Sequence, residues 1–349
     1  MIKPYRILKS ATAGLAYTYL GVLIVYLILR LLFWDTLWIV ALVGSLIPWI
    51  FFPLFLLPIV SHFILKKRRL LIASSIICLW FVGWLHANYW SPNPSAMDDS
   101  ATRIKILSLN CTWYKTTPET LVNLVEKNQP DIVFLQEVVA PHVNRAFPEL
   151  KASYPYQFSA PRIAIISRYP ILSKEKIHLA GHEEFQSRNI IQLPGQEIVV
   201  YNVQTIAPWI RERQVLPFLT LPKFEYEQRT AEIKDLVQRL ERETLPAIAA
   251  GDFNLTDQAQ DYFILQKQME DSFKESGWGF GLTWPYGWPL SDLFKKATLE
   301  MKYPLFRIDY IWHSPQFGSR ASQVLDPTGS EHLPMMSELI LRRDSSIPS

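Results

Sequence analysis

The chain has 349 residues, 49% hydrophobic and 19% charged, with two cysteines and a formal net charge of +3. That composition excludes disorder, collagen and coiled coil, and two cysteines are too few for a disulfide framework. The charge is unevenly divided: residues 1–90 hold eight Lys or Arg against Asp35 alone, +7, while residues 91–349 hold 27 basic and 31 acidic residues, −4. A domain at −4 lacks the cation array of a sequence-blind grip on DNA or RNA, so nucleic acid is the less favoured partner.

Three apolar runs open the chain, residues 11–33, 37–65 and 70–90. Each reaches the roughly 20 residues that cross a hydrocarbon core about 30 Å thick. A cleaved signal peptide would account for the first run only, and no small-residue cleavage site follows it. The runs therefore predict three transmembrane helices, a multi-pass anchor in the lipid bilayer. Lys3, Arg6 and Lys9 precede the first span, and Lys66-Lys67-Arg68-Arg69 lies between the second and third. Positive clusters stay cytoplasmic, so the third span exits outward and everything after Trp90 is expected on the extracytoplasmic side of the plasma membrane. Arg30 dissents near the outer end of the first span, where a long stem can snorkel. Pro48, Pro53 and Pro58 read as irregularity that neighbouring helices accommodate. The spans hold no network of ionisable groups, which suits an anchor better than a transporter.

Residues 91–102 turn to Ser, Pro, Asn and Asp, a linker; residues 103–343 suffice for one large α/β domain, with 344–349 as a tail. Residues 104–109 form a β-type run ending at Asn110. Residues 118–128 place Leu121, Leu124 and Val125 on one helical stripe, Pro130 breaks it, and residues 131–135 read as a buried strand ending in Gln136 and Glu137. Further strands are expected at 163–167, 197–203, 247–250 and 308–312, and an amphipathic helix at 227–242. Residues 208–224 are unusually apolar for a loop and 277–288 are rich in aromatics; both segments either reach the outer leaflet or pack over the domain.

The apolar strands stop at Asn110, at Glu137, at Gln204, at Gly251-Asp252-Phe253-Asn254 and near Asp309, and Ser330-Glu331-His332 forms a last polar cluster. Each alone is a bland strand end or turn former. Loops at strand ends carry catalytic groups, and several carboxylates, two Asn and a His on one rim have the composition of a site for a hard divalent cation and a phosphate.

In chain order, Ile106-Leu107-Ser108-Leu109-Asn110, Asp131-Ile132-Val133-Phe134-Leu135-Gln136-Glu137, Gly251-Asp252-Phe253-Asn254, Arg307-Ile308-Asp309-Tyr310-Ile311 and Ser330-Glu331-His332-Leu333-Pro334 resemble the signature of the endonuclease/exonuclease/phosphatase superfamily. That group includes DNase I-like nucleases, sphingomyelinases and inositol phosphatases. The segment Ile163 through Ile171 and Thr283-Trp284-Pro285 are similar to secondary marks of its membrane-anchored bacterial members. The resemblance implies a four-layered α/β sandwich, DNase I-like, with two packed sheets and helices outside.

On this reading Glu137 is the first metal ligand, with Asn110 beside it and Glu331 as a further carboxylate, for Mg2+ or Mn2+. His332 is the candidate general base, oriented by Asp309. Asp252 orients the attacking water, and Asn254 and Gln204 donate amide hydrogen bonds to phosphate. The chain departs from the family twice: Gln204 stands where the family carries His, and Glu331 where it carries Asp. The expected function is a membrane-anchored, metal-dependent phosphohydrolase, a phosphodiesterase or phosphatase, with a lipid-linked substrate favoured by the anchor. The alternatives are an extracytoplasmic nuclease using a patch of Arg188, Arg211 and Arg213, and a pseudoenzyme weakened at Gln204.

Overall fold

A computed structural model describes residues 4–95, 101–183, 186–216, 219–289 and 299–342, with the side chains of 212–222 outside the description. The chain divides into two compact units: Met1–Ser91 with Trp209–Glu225 and Gln258–Gln260, and Pro92–Pro208 with Tyr226–Asp257 and Asp261–Ser349.

In the first unit, three helical stretches are long and apolar enough to cross a membrane, Tyr5–Thr36, Ile47–Leu65 and Arg68–Tyr89. The second differs from the single span expected over residues 37–65. It is broken into short turns, and Pro48, Pro53 and Pro58 each stand in the first turn of a new piece: Ile47–Phe51, Phe52–Phe55 and Leu57–Ile59. Proline has no N–H to donate to the preceding turn, so each one restarts the helix. The apolar segment 208–224 is also no plain loop: Trp209–Leu216 and Leu219–Glu225 pair as an antiparallel hairpin. Trp209 and Ile210 at its base are exposed, whereas Val215, Leu216, Phe218, Leu219 and Leu221 lie outside the described side chains.

The second unit holds two six-stranded sheets. In spatial order, one is Phe317–Val324, Met335–Leu341, Thr102–Asn110, Ile132–Val138, Arg162–Ser167 and Tyr156–Ala160; the other is Glu270–Asp271, Asp309–His313, Ala247–Asp252, Gln196–Gln204, Gln186–Leu193 and Ile171–Ile177. Their facing sides share one core, with Ile104, Ile106, Ile132 and Phe134 from the first sheet and Ile198, Val200, Ile248 and Ile311 from the second. The helix Pro118–Asn128 buries Leu121, Val122, Leu124 and Val125 against the outer face of the first sheet. Its ends follow from the sequence: the Thr117 side chain accepts from the Thr120 N–H, and Gln129 turns left-handed just before Pro130.

Pairing sets the rim. Thr102–Asn110 runs parallel to Ile132–Val138, with Asn110 opposite Gln136. Gln196–Gln204 runs parallel to Ala247–Asp252, with Gln204 opposite Asp252, and Asp252 also faces Asp309 across an antiparallel pair. The four predicted strand ends thus come out in register at one end of each sheet. Gly251, at φ +146°, is packed so closely that a Cβ there would stand 1.9 Å from the Val203 carbonyl oxygen. Backbone cannot yield as a flexible side chain does. Gly251→Ala is expected to cost about 3 kcal/mol or more; an unchanged thermal midpoint for the purified variant would contradict that packing.

Candidate functional site

Two departures from regular strand geometry aim the side chains. The strand Ile132–Val138 pairs with Arg162–Ser167 up to Gln136 opposite Ile163, and then Val138 faces Arg162. Glu137 is thus the extra residue of a β-bulge, at φ +52°, a device that re-aims a side chain. Asn254, at φ +49°, turns the chain after Asp252: its N–H donates to Asp252 Oδ1 (3.0 Å) and its Nδ2 to the Thr205 carbonyl (2.8 Å). A left-handed non-glycine residue costs on the order of 1 kcal/mol and collects where geometry serves function.

Asn110 Nδ2 donates to Glu137 Oε1 (3.2 Å) and to Asp252 Oδ2 (3.1 Å), so one amide joins carboxylates from both sheets. Its Oδ1 accepts the Thr112 N–H at 2.9 Å. Gln204 Nε2 donates to the same Glu137 oxygen at 2.8 Å. His332 Nδ1 lies 2.9 Å from Asp309 Oδ2, and its Nε2 faces Asp252 Oδ2 at 3.9 Å. The structure therefore gathers Asn110, Glu137, Gln204, Asp252, Asp309 and His332. Glu331 is adjacent in sequence, but its carboxylate pairs with Lys115, and one amide hydrogen of Asn254 is committed to Thr205.

Several supporting groups carry no distinct signal in the sequence. Ser330 Oγ donates to the Asn110 carbonyl (2.6 Å) and accepts the His332 N–H (3.0 Å), tying the last loop to the first strand. Thr283 Oγ1 accepts the N–H groups of Ile308 (3.2 Å) and Asp309 (3.3 Å), and the ring of Trp284 lies 6.4 Å from that of His332. The motif residues beside them, Thr283-Trp284-Pro285 and Ser330-Glu331-His332, marked the neighbourhood without revealing these bonds.

The model of a family described as "Endonuclease/Exonuclease/phosphatase family" matches residues 107–332, more than half of the chain. No curated protein matches it in sequence. Among solved structures, an endonuclease/exonuclease/phosphatase from Bacteroides vulgatus is 16% identical, with a TM-score of 0.52 over 69% of this chain and 100% of that one. A family protein from Bacteroides thetaiotaomicron is 18% identical, with a TM-score of 0.51 over 69% and 99%. D. rerio TDP2, solved with a single-strand DNA product, is 17% identical, with a TM-score of 0.50 over 68% and 99%. At these identities the likeness is one of fold, and that fold is DNase I-like.

The electrostatics of the rim fit a cation. Ligand atoms of Asp252, Asp309 and His332 all lie within 4.8 Å of one another, and all three residues are buried. Burial pushes the Asp252 carboxyl up to about 7; the His332 charge opposes that rise and Asp309 adds to it. Burial disfavours the His332 imidazolium, but Asp309 and Asp252 outweigh it and raise the group to about 9. Protons therefore neutralise a carboxylate-rich centre, and oxygen-rich donors with neutral amides beside them are what a hard divalent ion takes.

The linkage has a definite sign. A His held at about 9 rather than 6.5 stabilises the fold fully below about pH 6.5 and loses that contribution as pH rises through about 9. The raised Asp252 acts in the same direction between about 4 and 7. With divalent ions chelated, the thermal midpoint is expected to fall from pH 6.5 to 9.5, and to fall less steeply in His332→Gln. Parallel slopes for the two proteins would show that the proton is not held here.

Proposed function

The chain belongs to the endonuclease/exonuclease/phosphatase family, and we propose that it is a membrane-anchored, divalent-metal-dependent phosphohydrolase. Members of that family hydrolyse phosphoester bonds, and the observation that carries the proposal is the convergence of Glu137, Asp252, Asp309 and His332 from both sheets. Glu137 would hold Mg2+ or Mn2+ with Asn110 beside it. The ion, when bound, neutralises phosphoryl oxygen charge and acidifies water. Asp252 orients the attacking water, whose oxygen forms the new bond to phosphorus in line with the departing oxygen. His332 moves the proton: its Nε2 faces Asp252, and Asp309 fixes the ring through Nδ1 and stabilises the imidazolium. Positive charge beside Glu137 opposes protonation of the ring and favours its base form. Asn254 has a second amide hydrogen for a phosphoryl oxygen.

The basic clusters at residues 3–9 and 66–69 support cytoplasmic placement of those ends and an extracytoplasmic catalytic domain. A lipid-linked phosphoester is the substrate class this favours. In its support, the hairpin Trp209–Glu225 exposes the large apolar side chains of Trp209 and Ile210 at its base. The nuclease alternative loses support in the Arg188 patch: Arg188 is bound in bidentate fashion by Glu243 (2.6 and 2.8 Å), and Arg211 faces Glu225 at 3.6 Å. Arg213 lies outside the described side chains.

The test is a panel of phospholipid, isoprenoid-phosphate and nucleic-acid substrates with Mg2+ and with chelator. Glu137→Ala and His332→Ala are expected to lower turnover by about 10² or more; wild-type rates in both would exclude the mechanism. Gln204→His is expected to raise kcat about tenfold by supplying a charged donor. Absence of turnover on every phosphoester by the wild type would leave the chain a binding role.

A further inference from the structure

The helix Glu227–Leu240 buries Ile233, Leu236 and Leu240, and two charged residues three positions apart are buried on the same face, Arg229 (4% exposed) and Glu232 (0%). Apolar residues of similar size would fill that face at lower cost, because each charge must leave water. Both charges reach backbone atoms just past the ends of the neighbouring strands Gln196–Gln204 and Ala247–Asp252. Glu232 Oε2 accepts the Ile206 N–H at 2.7 Å, two residues beyond Gln204, and its Oε1 lies 3.1 Å from His182 Nδ1. Arg229 Nη1 donates to the Asn254 carbonyl at 2.9 Å, two residues beyond Asp252. Its Nε donates to Asp261 Oδ2 at 3.0 Å, an oxygen that also accepts from the Thr230 hydroxyl at 2.9 Å. Asp261 thus fixes the guanidinium, and the guanidinium fixes the turn.

The two turns are also bonded to each other. Thr205 donates through its N–H to the Asp252 carbonyl (3.0 Å) and through Oγ1 to the Phe253 carbonyl (2.5 Å), and Asn254 Nδ2 donates back to the Thr205 carbonyl (2.8 Å). Asn254 holds a left-handed backbone at φ +49°, which its own local preference does not sustain, and its carbonyl is the atom that Arg229 grips. Displacing either turn moves three groups assigned to the reaction: Gln204, Asp252 and Asn254.

We propose that Arg229 and Glu232 are positioning residues, a clamp that sets the turns Gln204–Ile206 and Asp252–Asn254 against each other and so aims the Asp252 carboxylate and the Asn254 amide. Each acts through backbone atoms, and neither touches the reacting atoms. The catalytic consequence rests on the phosphohydrolase reading above; the clamp on the two turns does not.

The experiment uses the full chain in lipid nanodiscs, with bis(p-nitrophenyl) phosphate and Mg2+ for kinetics and amide hydrogen exchange for the turns. Arg229→Lys keeps the charge and loses the fork that joins Asp261 to Asn254; kcat is expected to fall about tenfold with KM within about twofold. Glu232→Ala is expected to do the same, whereas Glu232→Gln, which keeps an oxygen for the Ile206 N–H, should retain most of the wild-type rate. Exchange of peptides covering residues 203–207 and 250–256 is expected to speed up about tenfold in Arg229→Lys and Glu232→Ala, with residues 104–110 unchanged. Leu236→Ala, on the same buried face, controls for stability alone: its thermal midpoint falls while kcat stays at the wild-type value. In an Asn254→Ala background, Arg229→Lys is expected to lower kcat by no more than about threefold, because one of the two groups it aims is already gone. If Arg229→Lys proves too unstable to purify, the contrast between Glu232→Ala and Glu232→Gln carries the test. Wild-type kcat in the clamp variants overturns the inference, and so does an equal loss in Leu236→Ala or an undiminished loss in the Asn254→Ala background. Unchanged exchange in both turns removes the clamp itself. Faster exchange in both turns of a protein whose wild type hydrolyses nothing upholds the clamp and removes the phosphohydrolase reading instead.

Discussion

The site exists because two separate sheets are held in one alignment, and a fully buried asparagine supplies that alignment. Asn202, on the second sheet, donates to the Leu135 carbonyl (3.1 Å) and the Ala164 carbonyl (2.9 Å) of the first, and its Oδ1 accepts from Gln136 Nε2 (2.7 Å). Apolar contact between facing sheets is strong but non-directional, so Ile and Val faces alone tolerate sliding. Hydrogen bonds between buried amides do not, because a shift would leave donors and acceptors unsatisfied in a low-dielectric interior. One layer further toward the rim, Asn110 repeats the device between Glu137 and Asp252.

The same rim is poorly arranged for stability. Glu137, Asp252 and Asp309 bring three carboxylates together, and the fold counters them with neutral amides from Asn110 and Gln204 and with one imidazole. Amide donors reduce repulsion without removing charge; burial keeps the Asp252 proton, and the Asp309 and Asp252 carboxylates keep that of His332, to unusually high pH. A centre that needs protons to balance it is one where a divalent ion and a phosphoryl group find compensating charge already laid out. Gln204 fits this description: bound to Glu137, it steadies the carboxylate and brings no charge of its own.

How much was legible follows from how local each signal is. The helix Pro118–Asn128 has its stripe, cap and stop all within fourteen residues, and it lies where expected. The strand ends were legible because each apolar run stops at a polar residue. The bulge at Glu137 was not, since it is defined by the partner strand Arg162–Ser167. The same holds for Asn202, Thr283 and Ser330, whose partners on other elements lie 25 or more residues away and whose types are ordinary in any strand or turn. The hairpin Trp209–Glu225 was read as a loop for the opposite reason: an apolar stretch with proline gives strong composition and weak periodicity, whereas the second span and its irregularity at proline were both legible.

The residues that violated a local rule are the informative ones. Arg30 breaks the charge rule and Asp35 is a buried acid in an apolar region; Glu137 and Asn254 adopt a backbone conformation unfavourable for their types. Local rules describe what folds cheaply, so an exception persists only where a longer-range requirement outweighs it. Glu137 shows such a requirement: its left-handed backbone turns the carboxylate to where Asn110 and Gln204 both donate to it.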